Sequence, residues 1–145
     1  MTTAKAYFKH GHGDDPVIAA TDDDVDQLID ALVTESWENS VAAVYVDGRL
    51  NSAGVPDHEL LVAVDYEDKT RGALRYMGRD GVYLSKGISS EADTVLYYYM
   101  GSDREFPRGS LLALDDIRTA VKEFLASGAD RPTSIKWQDL NEDIT

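Results

Sequence analysis

Residues 60–85 of the chain read LLVAVDYEDKTRGALRYMGRDGVYLS. Three apolar runs lie within this stretch, at residues 60–66, 72–77 and 81–85, and polar residues with glycine separate them. Short apolar runs bounded by turn-forming residues are typical of β-strands joined by hairpins. Such short connections join antiparallel neighbours, because parallel strands need a crossover of a dozen or more residues. The stretch therefore predicts an antiparallel meander.

Two amphipathic helices are predicted outside this meander. The first follows Thr21, whose hydroxyl can cap the first turn while Asp24 completes a pattern like a capping box. The second is predicted to begin after Asp115 as its N-cap and to end near Gly128. Apolar residues recur at helical spacing in both, at Val25, Leu28, Ile29, Leu32 and Val33 and at Ile117, Val121, Phe124 and Leu125. Each stripe indicates a face that packs on a core.

The remaining chain predicts further strands and the fold class. Strands are expected at residues 5–9, 17–20, 41–46, 94–100 and 134–137, a turn at 10–16, a short extended piece at 111–114 and a polar loop at 101–109. Because the strands do not alternate regularly with helices, we expect an α+β fold. Its mostly antiparallel sheet would have about six to seven strands, with both helices packed on one face. We expect one domain over residues 1–138 and a polar C-terminal tail over 139–145.

Composition narrows the classes of function. The 145 residues include 27 acidic and 14 basic side chains, for a formal net charge of −13, and no cysteine. Thiol chemistry and disulfides are therefore excluded. Since no apolar run reaches membrane-spanning or signal-peptide length, we expect a cytoplasmic protein that does not bind membranes. Nucleic-acid binding depends on cationic neutralisation of phosphates, so the acidic balance argues against it and favours a basic partner. An acidic surface that serves only solubility is the alternative.

Histidines are the candidates for catalysis or metal binding. His10 and His12, with Asp14, could bind a metal if alternate positions point both rings to one face. His58 precedes a strand beside carboxylates that could orient it as a base, as in a hydrolase. Both patterns are too local to be specific, and the sequence has no nucleophile elbow, phosphate-binding glycine loop, HExxH motif or calcium loop. We therefore predict no enzyme activity, no cofactor and no metal.

Acidic residues on the first helix are one candidate partner-binding surface. Asp22, Asp26 and Asp30 are four residues apart, so they form a row that points to solvent if the apolar stripe faces inward, and Asp23 lies beside it. The helix dipole favours carboxylates in the first turn only, so Asp26 and Asp30 gain little from it. A solvated face without a partner is the alternative for this row.

Aromatic residues are a second candidate. Trp37 and the run Tyr97–Tyr98–Tyr99 offer large contact areas of the kind that dominate binding surfaces. Because side chains alternate along a strand, Tyr98 must face opposite to Tyr97 and Tyr99. We therefore predict that Trp37 and Tyr98 contact a partner, with core packing as the alternative.

Motifs from residue 95 onward resemble one known family. They are VLYYYMG at 95–101, EFP at 105–107, Leu114, AVKEFL at 120–125, Gly128, Arg131-Pro132 and Trp137. Together they resemble the type-1 immunity protein family of bacterial polymorphic toxin systems. Residues 17–19 before the acidic helix, and 59–65 followed by 72–74, agree with it less closely.

The resemblance implies an α+β protein that binds and neutralises a cognate toxin, often a nuclease or deaminase, in the producing cell. It implies no enzyme activity, and no family motif identifies the residues that contact the toxin. A small-molecule-binding or regulatory domain, with a pocket on the sheet face, is the alternative function. Neither the toxin nor the oligomeric state follows from the sequence.

Overall fold

A computed structural model describes residues 2–79, 81–89, 91 and 93–139. The described residues form two α-helices, α1 (Asp22–Thr34) and α2 (Leu114–Ala126). Their strands are β1 (Ala4–Tyr7), β2 (Val17–Ala19), β3 (Val41–Val46), β4 (Glu59–Val64), β5 (Arg71–Gly78), β6 (Gly81–Ser85), β7 (Thr94–Tyr99), β8 (Ser102–Pro107), β9 (Leu112–Ala113) and β10 (Trp137–Asp139). Short 3₁₀ turns lie at His10–Gly13, Trp37–Asn39 and Arg108–Ser110.

Eight strands form the main sheet, in the order β10-β6-β5-β4-β3-β1-β2, with β9 paired to the start of β5. Every strand pairing in the described part is antiparallel, and β4, β5 and β6 are consecutive neighbours. The predicted meander and the α+β class are therefore confirmed. Asp139, expected in the tail, is the last residue of β10, and residues 140–145 lie outside the described residues.

Apolar side chains cover both faces of the central strands. Those packed with α1 and α2 include Ala42, Val44, Leu60, Val62 and Leu74. Those on the opposite face include Val41, Ala43, Leu61, Ala63 and Ala73. Because successive strand residues point to opposite faces, continuous apolar runs indicate a sheet buried on both sides. We call the side covered by α1 and α2 the helix face; both helices pack there, as predicted.

A separate hairpin of β7 and β8 covers the opposite side, which we call the hairpin face. Tyr97 and Phe106 from this hairpin are buried there, with ring centroids 5.1 Å apart. The predicted polar loop at 101–109 is therefore wrong, because residues 102–107 form β8. Met100 and Gly101 have φ of 49° and 86°, the positive values that a type I′ hairpin turn requires. The strand was missed because Phe106 is its only fully buried residue.

Local signals determine the helix ends to different degrees. At α1 the predicted capping box is confirmed, because the Asp24 amide donates to the Thr21 hydroxyl at 3.1 Å and the Asp24 carboxylate accepts from the Thr21 amide at 3.2 Å. At α2 the predicted N-cap is wrong. The cap residue is Ala113, and Asp115 lies in the first helical turn, where the dipole still favours a carboxylate. Ala113 of β9 pairs with Arg71 of β5, so pairing in the sheet determines where this helix begins.

The last strand is shifted from its predicted position at 134–137 to Trp137–Asp139. The reason is that the Ser134 amide donates to the Glu123 carboxylate at 3.0 Å, which holds residue 134 against α2. Among the described helices, none has the length and apolar composition needed to cross a membrane.

Candidate functional site

His58 is fully buried and bonded through both ring nitrogens. The Val46 amide donates to Nε2 at 2.8 Å, and Nδ1 lies 2.9 Å from the Asp57 carboxylate. A backbone amide can only donate, so Nε2 is unprotonated and the ring proton is on Nδ1. Asp57 also contacts Arg49 and Arg79, and the hydrogen bond from His58 is the main reason that its pKa is lowered. This arrangement leaves no ring nitrogen to take a proton from a substrate.

His12 is likewise tied to its own turn. Its Nδ1 accepts from the amides of Phe8 at 3.1 Å and Lys9 at 3.2 Å, and its ring packs edge-on against Phe8. Partial burial, followed by the charge of Lys9, lowers the pKa of His12. Among the described residues, no three His, Asp or Glu side chains are grouped so that they could hold a metal ion. His12 therefore has a structural role in this turn.

The far part of the acidic row contacts α2. Arg118 lies 3.0 Å from the Asp26 carboxylate and also pairs with Asp30, while Lys122 contacts Asp26 at 2.9 Å. The hydrogen bond from Lys122 is the largest cause of the lowered pKa of Asp26. Two carboxylates thus face two cations, so this cluster carries little net charge. It joins α1 to α2 across the helix face.

The two aspartates at the start of α1 are not paired with other described residues. Asp22 and Asp23 are exposed in the first turn of α1, and within the described residues neither carboxylate has a hydrogen bond or an ion pair. Their negative charge is therefore available to a partner, unlike that of Asp26 and Asp30. The expectation that the row faces solvent thus holds at Asp22, Asp23 and Asp30, whereas Asp26 is half-buried.

The predicted aromatic pair is brought together. The Trp37 and Tyr98 rings meet edge to face with centroids 4.7 Å apart, and Trp37 is 42% exposed. Tyr97 points the other way into the core of the hairpin face, as strand alternation predicted. Trp37 follows α1 in the chain and Tyr98 lies on β7, so only the fold makes them neighbours.

A groove of about 460 Å³ opens beside this pair, and we call it the aromatic groove. Its lining includes Trp37, Tyr66, Glu67, Val95, Leu96 and Tyr98. Tyr66 is 51% exposed and Leu96 is 41% exposed. The sequence analysis did not identify Tyr66 or Leu96 as candidate contact residues. Alternation along β7 could have identified Leu96, because it shares a face with Tyr98, whereas nothing in the sequence placed Tyr66 beside them.

Ser40 holds the groove walls in place. Its hydroxyl accepts from the Tyr98 amide at 2.9 Å, and its own amide donates to the Tyr98 carbonyl at 3.0 Å. Its carbonyl accepts from the Val64 amide at 2.9 Å, at the end of β4. One buried serine therefore connects the segment carrying Trp37 to the strands behind Tyr98 and Tyr66.

The cations in the groove are already neutralised. Arg71 donates to the buried Asp65 carboxylate at 2.7 Å, and Arg108 donates to both carboxylate oxygens of Asp93 at 2.9 Å. Asp65 also accepts from the Glu67 amide at 2.9 Å, which fixes the loop that carries Glu67. In the described part of the chain, the exposed Glu67 carboxylate has no partner. Among the charged side chains that line the groove, Glu67 is therefore the one that has no partner in the described residues.

Comparison with known proteins identifies a family for this chain. A family model described as "Immunity protein Imm1" matches residues 13–139, which is most of the chain and includes both helices, the β7–β8 hairpin and the aromatic groove. No curated protein matches the sequence.

Proposed function

The chain belongs to the Imm1 immunity protein family, and we propose on that basis that it binds and neutralises the cognate toxin of a polymorphic toxin system. The resemblance drawn from residues 95–137 is thereby confirmed at the level of the family. Neutralisation would take place by direct binding in the cytoplasm of the producing cell, without catalysis, a cofactor, a nucleic acid or a membrane.

The acidic surplus supports a basic toxin, which we propose is a nuclease or deaminase domain. The observation that carries this proposal is the formal net charge of −13. Enzymes that act on nucleic acids bind phosphates through cationic surfaces. An acidic inhibitor can occupy such a surface, and its opposite charge accelerates association in a salt-dependent way.

Two clusters are proposed to contact the toxin, as the sequence suggested. They comprise Asp22, Asp23, Asp26 and Asp30 on α1 and the aromatic residues Trp37 and Tyr98. Asp22 and Asp23 would supply most of the attraction, because Asp26 and Asp30 are paired with cations of α2. Helix α1 has 13 residues and is thus about 20 Å long. An interface of standard size, about 800 Å² per partner, has a width comparable with this length.

Co-purification with the product of a neighbouring gene tests this proposal. We expect a complex that abolishes the activity of that product and that weakens between about 0.1 M and about 1 M salt, where the Debye length falls from about 10 Å to about 3 Å. Absence of a complex with every neighbouring product would contradict the immunity function. A complex that is insensitive to salt would contradict the electrostatic part.

Charge reversal tests the proposed role of α1. We expect Asp22→Lys with Asp23→Lys to lower the association rate constant by roughly tenfold, because steering depends on the local field. The matched control is Asp14→Lys with Asp15→Lys, which changes the net charge equally at an exposed turn. Equal effects of the two double variants would contradict a specific contribution from α1.

The aromatic groove also supports a second candidate, the small-molecule-binding domain. Its volume of about 460 Å³ falls within the range of ligand pockets, about 300–1,000 Å³. Native mass spectrometry of protein purified from its own cells tests this function. A stoichiometric small molecule that Trp37→Ala removes would support it, whereas ligand-free protein would not.

A further inference from the structure

We propose that the aromatic groove receives a lysine or arginine side chain of the toxin, with its charged end at Glu67 and its aliphatic stem along Leu96. This inference rests on the proposed immunity function and specifies the chemistry of the contact. Tyr66, Glu67 and Leu96 then join Trp37 and Tyr98 as contact residues.

Exposed apolar area identifies the groove as a binding surface. Trp37, Tyr66 and Leu96 are 42%, 51% and 41% exposed and line one groove, although they come from three separate parts of the chain. Single exposed apolar residues are common on soluble proteins, but a contiguous patch around a concavity marks an interaction site. Aromatic anchors of this kind contribute much of the binding energy of interfaces.

Charge determines what the groove can accept. An anionic occupant would have to displace Asp65 from Arg71 or Asp93 from Arg108, because both cations are already paired. A cationic occupant finds an unpaired carboxylate at Glu67 and breaks no existing ion pair. The net charge of −13 attracts the same class of partner to the whole surface. Charge complementarity therefore favours a basic side chain.

Ring contacts within the molecule show that its tyrosines accept cations. The Lys69 ammonium lies 5.8 Å from the centroid of Tyr66, and the Arg104 guanidinium lies 5.6 Å from that of Tyr99. Such contacts arise because the ring face carries partial negative charge. Lysine and arginine also have apolar stems, which pack on apolar surface while the charged end stays polar. Leu96 and Glu67 both line the groove, so it offers a contact for each part.

The groove is preorganised for this contact. Ser40 bonds to both backbone groups of Tyr98, and the Gly101 amide donates to the Glu38 carbonyl at 2.9 Å, so β7 is fixed against the turn that carries Trp37. Asp65 fixes the backbone of Glu67. A preformed site loses less conformational entropy on binding, which raises affinity for a given set of contacts.

The test measures affinity of the wild type and of groove variants for the toxin identified by co-purification. Glu67→Lys is expected to weaken the complex about thirtyfold and Glu67→Gln about tenfold, while Leu96→Ala weakens it about tenfold. Leu50→Ala is the matched control, because Leu50 is 48% exposed outside the groove, and it is expected to bind like the wild type. Glu67 is exposed, so its variants are expected to fold normally, as circular dichroism would verify.

A second measurement identifies the occupant. Each exposed lysine and arginine of the toxin is changed to alanine and combined with Glu67→Gln in a double-mutant cycle, which isolates the pairwise coupling. One toxin residue is expected to couple to Glu67 by about fivefold or more in affinity. If the wild type binds no toxin, the proposed function itself fails. If it binds but Glu67→Lys and Leu96→Ala match Leu50→Ala, only the assignment of the groove is overturned.

Discussion

The helix face and the hairpin face use their polar residues in different ways. On the helix face, Asp26 and Asp30 form ion pairs with Arg118 and Lys122. This regularly spaced part of the acidic row therefore links α1 to α2. Beside the hairpin face, aromatic residues and Glu67 remain exposed around a groove. A charge pattern on one element therefore does not identify a binding surface until its partners on other elements are known.

Spacing explains why the helix face neutralises itself. Asp26 and Asp30 are four residues apart on α1, and Arg118 and Lys122 are four apart on α2, so each pair lies on one side of its helix. Where the helices meet, the two pairs face each other. In the groove, Arg71 and Arg108 already bind Asp65 and Asp93, so neither arginine pairs with Glu67.

The largest expected effect concerns stability and belongs to the helix face. Phe124 is completely buried and lies against Tyr76 and His58, with ring centroids 6.3 Å and 5.8 Å away. Phe124→Ala removes most of this packing and leaves a cavity, so we expect a loss of about 3–5 kcal/mol in the free energy of unfolding. Urea denaturation measures it. A loss below about 1 kcal/mol would show that the helix face does not dominate stability.

Ser40→Ala is expected to act on the groove without removing any groove side chain. The change leaves the Tyr98 amide without its hydroxyl acceptor, at a cost of about 1–2 kcal/mol in stability. Because this hydrogen bond holds Tyr98 against the segment that carries Trp37, toxin affinity should fall as well. Calorimetry measures both quantities, and Ser52→Ala at an exposed position is the control. Unchanged affinity would show that the groove does not depend on this anchor.

Two tyrosines offer a matched comparison between the faces. On the helix face, the Tyr76 hydroxyl donates to the Ala129 carbonyl at 2.9 Å, so Tyr76→Phe should cost about 1 kcal/mol. On the hairpin face, the buried Tyr97 hydroxyl has no hydrogen-bond partner within the described residues, and burial raises its pKa. Tyr97→Phe should therefore leave the thermal midpoint unchanged or raise it. A midpoint lowered as much as by Tyr76→Phe would indicate a bonded hydroxyl.

The smallest expected effect is the acid dependence of the stability that Asp26 contributes through its ion pairs with α2. The pKa of Asp26 is below its ordinary value of 3.8, so its stabilising contribution is complete above that value and disappears as pH falls through the lower, folded-state pKa. Asp26→Asn should therefore lower the thermal midpoint at pH 7, and the difference from the wild type should shrink progressively as pH falls below 3.8. Asp14→Asn, at an exposed turn, is the control and should change neither. A difference that persists in acid would contradict an ionic contribution.

The sequence analysis correctly predicted features that depend on residues close together in the chain. The capping box at Thr21 and the short connections of residues 60–85 involve neighbours in sequence, and both were confirmed. Strand β8 was missed because its exposed polar residues resemble a loop, and only packing of Phe106 on the sheet distinguishes it. The start of α2 was misplaced because pairing with Arg71 sets it.

The candidate site was only partly predictable for a related reason. Trp37 and Tyr98 were identified from their chemistry, and the family from scattered motifs. Tyr66 and Glu67 follow β4 in the chain, far in sequence from both, so their place in the groove depends on the completed fold. The pairing of Asp26 with residues more than 90 positions away could not be predicted from the sequence either.

Hydrogen–deuterium exchange of the toxin complex tests the central claim most directly, namely that the surface beside the hairpin face contacts the toxin. On binding, we expect slower exchange at residues 36–40, 66–69 and 94–98, which surround the aromatic groove, and unchanged exchange along α2. Slower exchange confined to α2, with no change around the groove, would contradict the account.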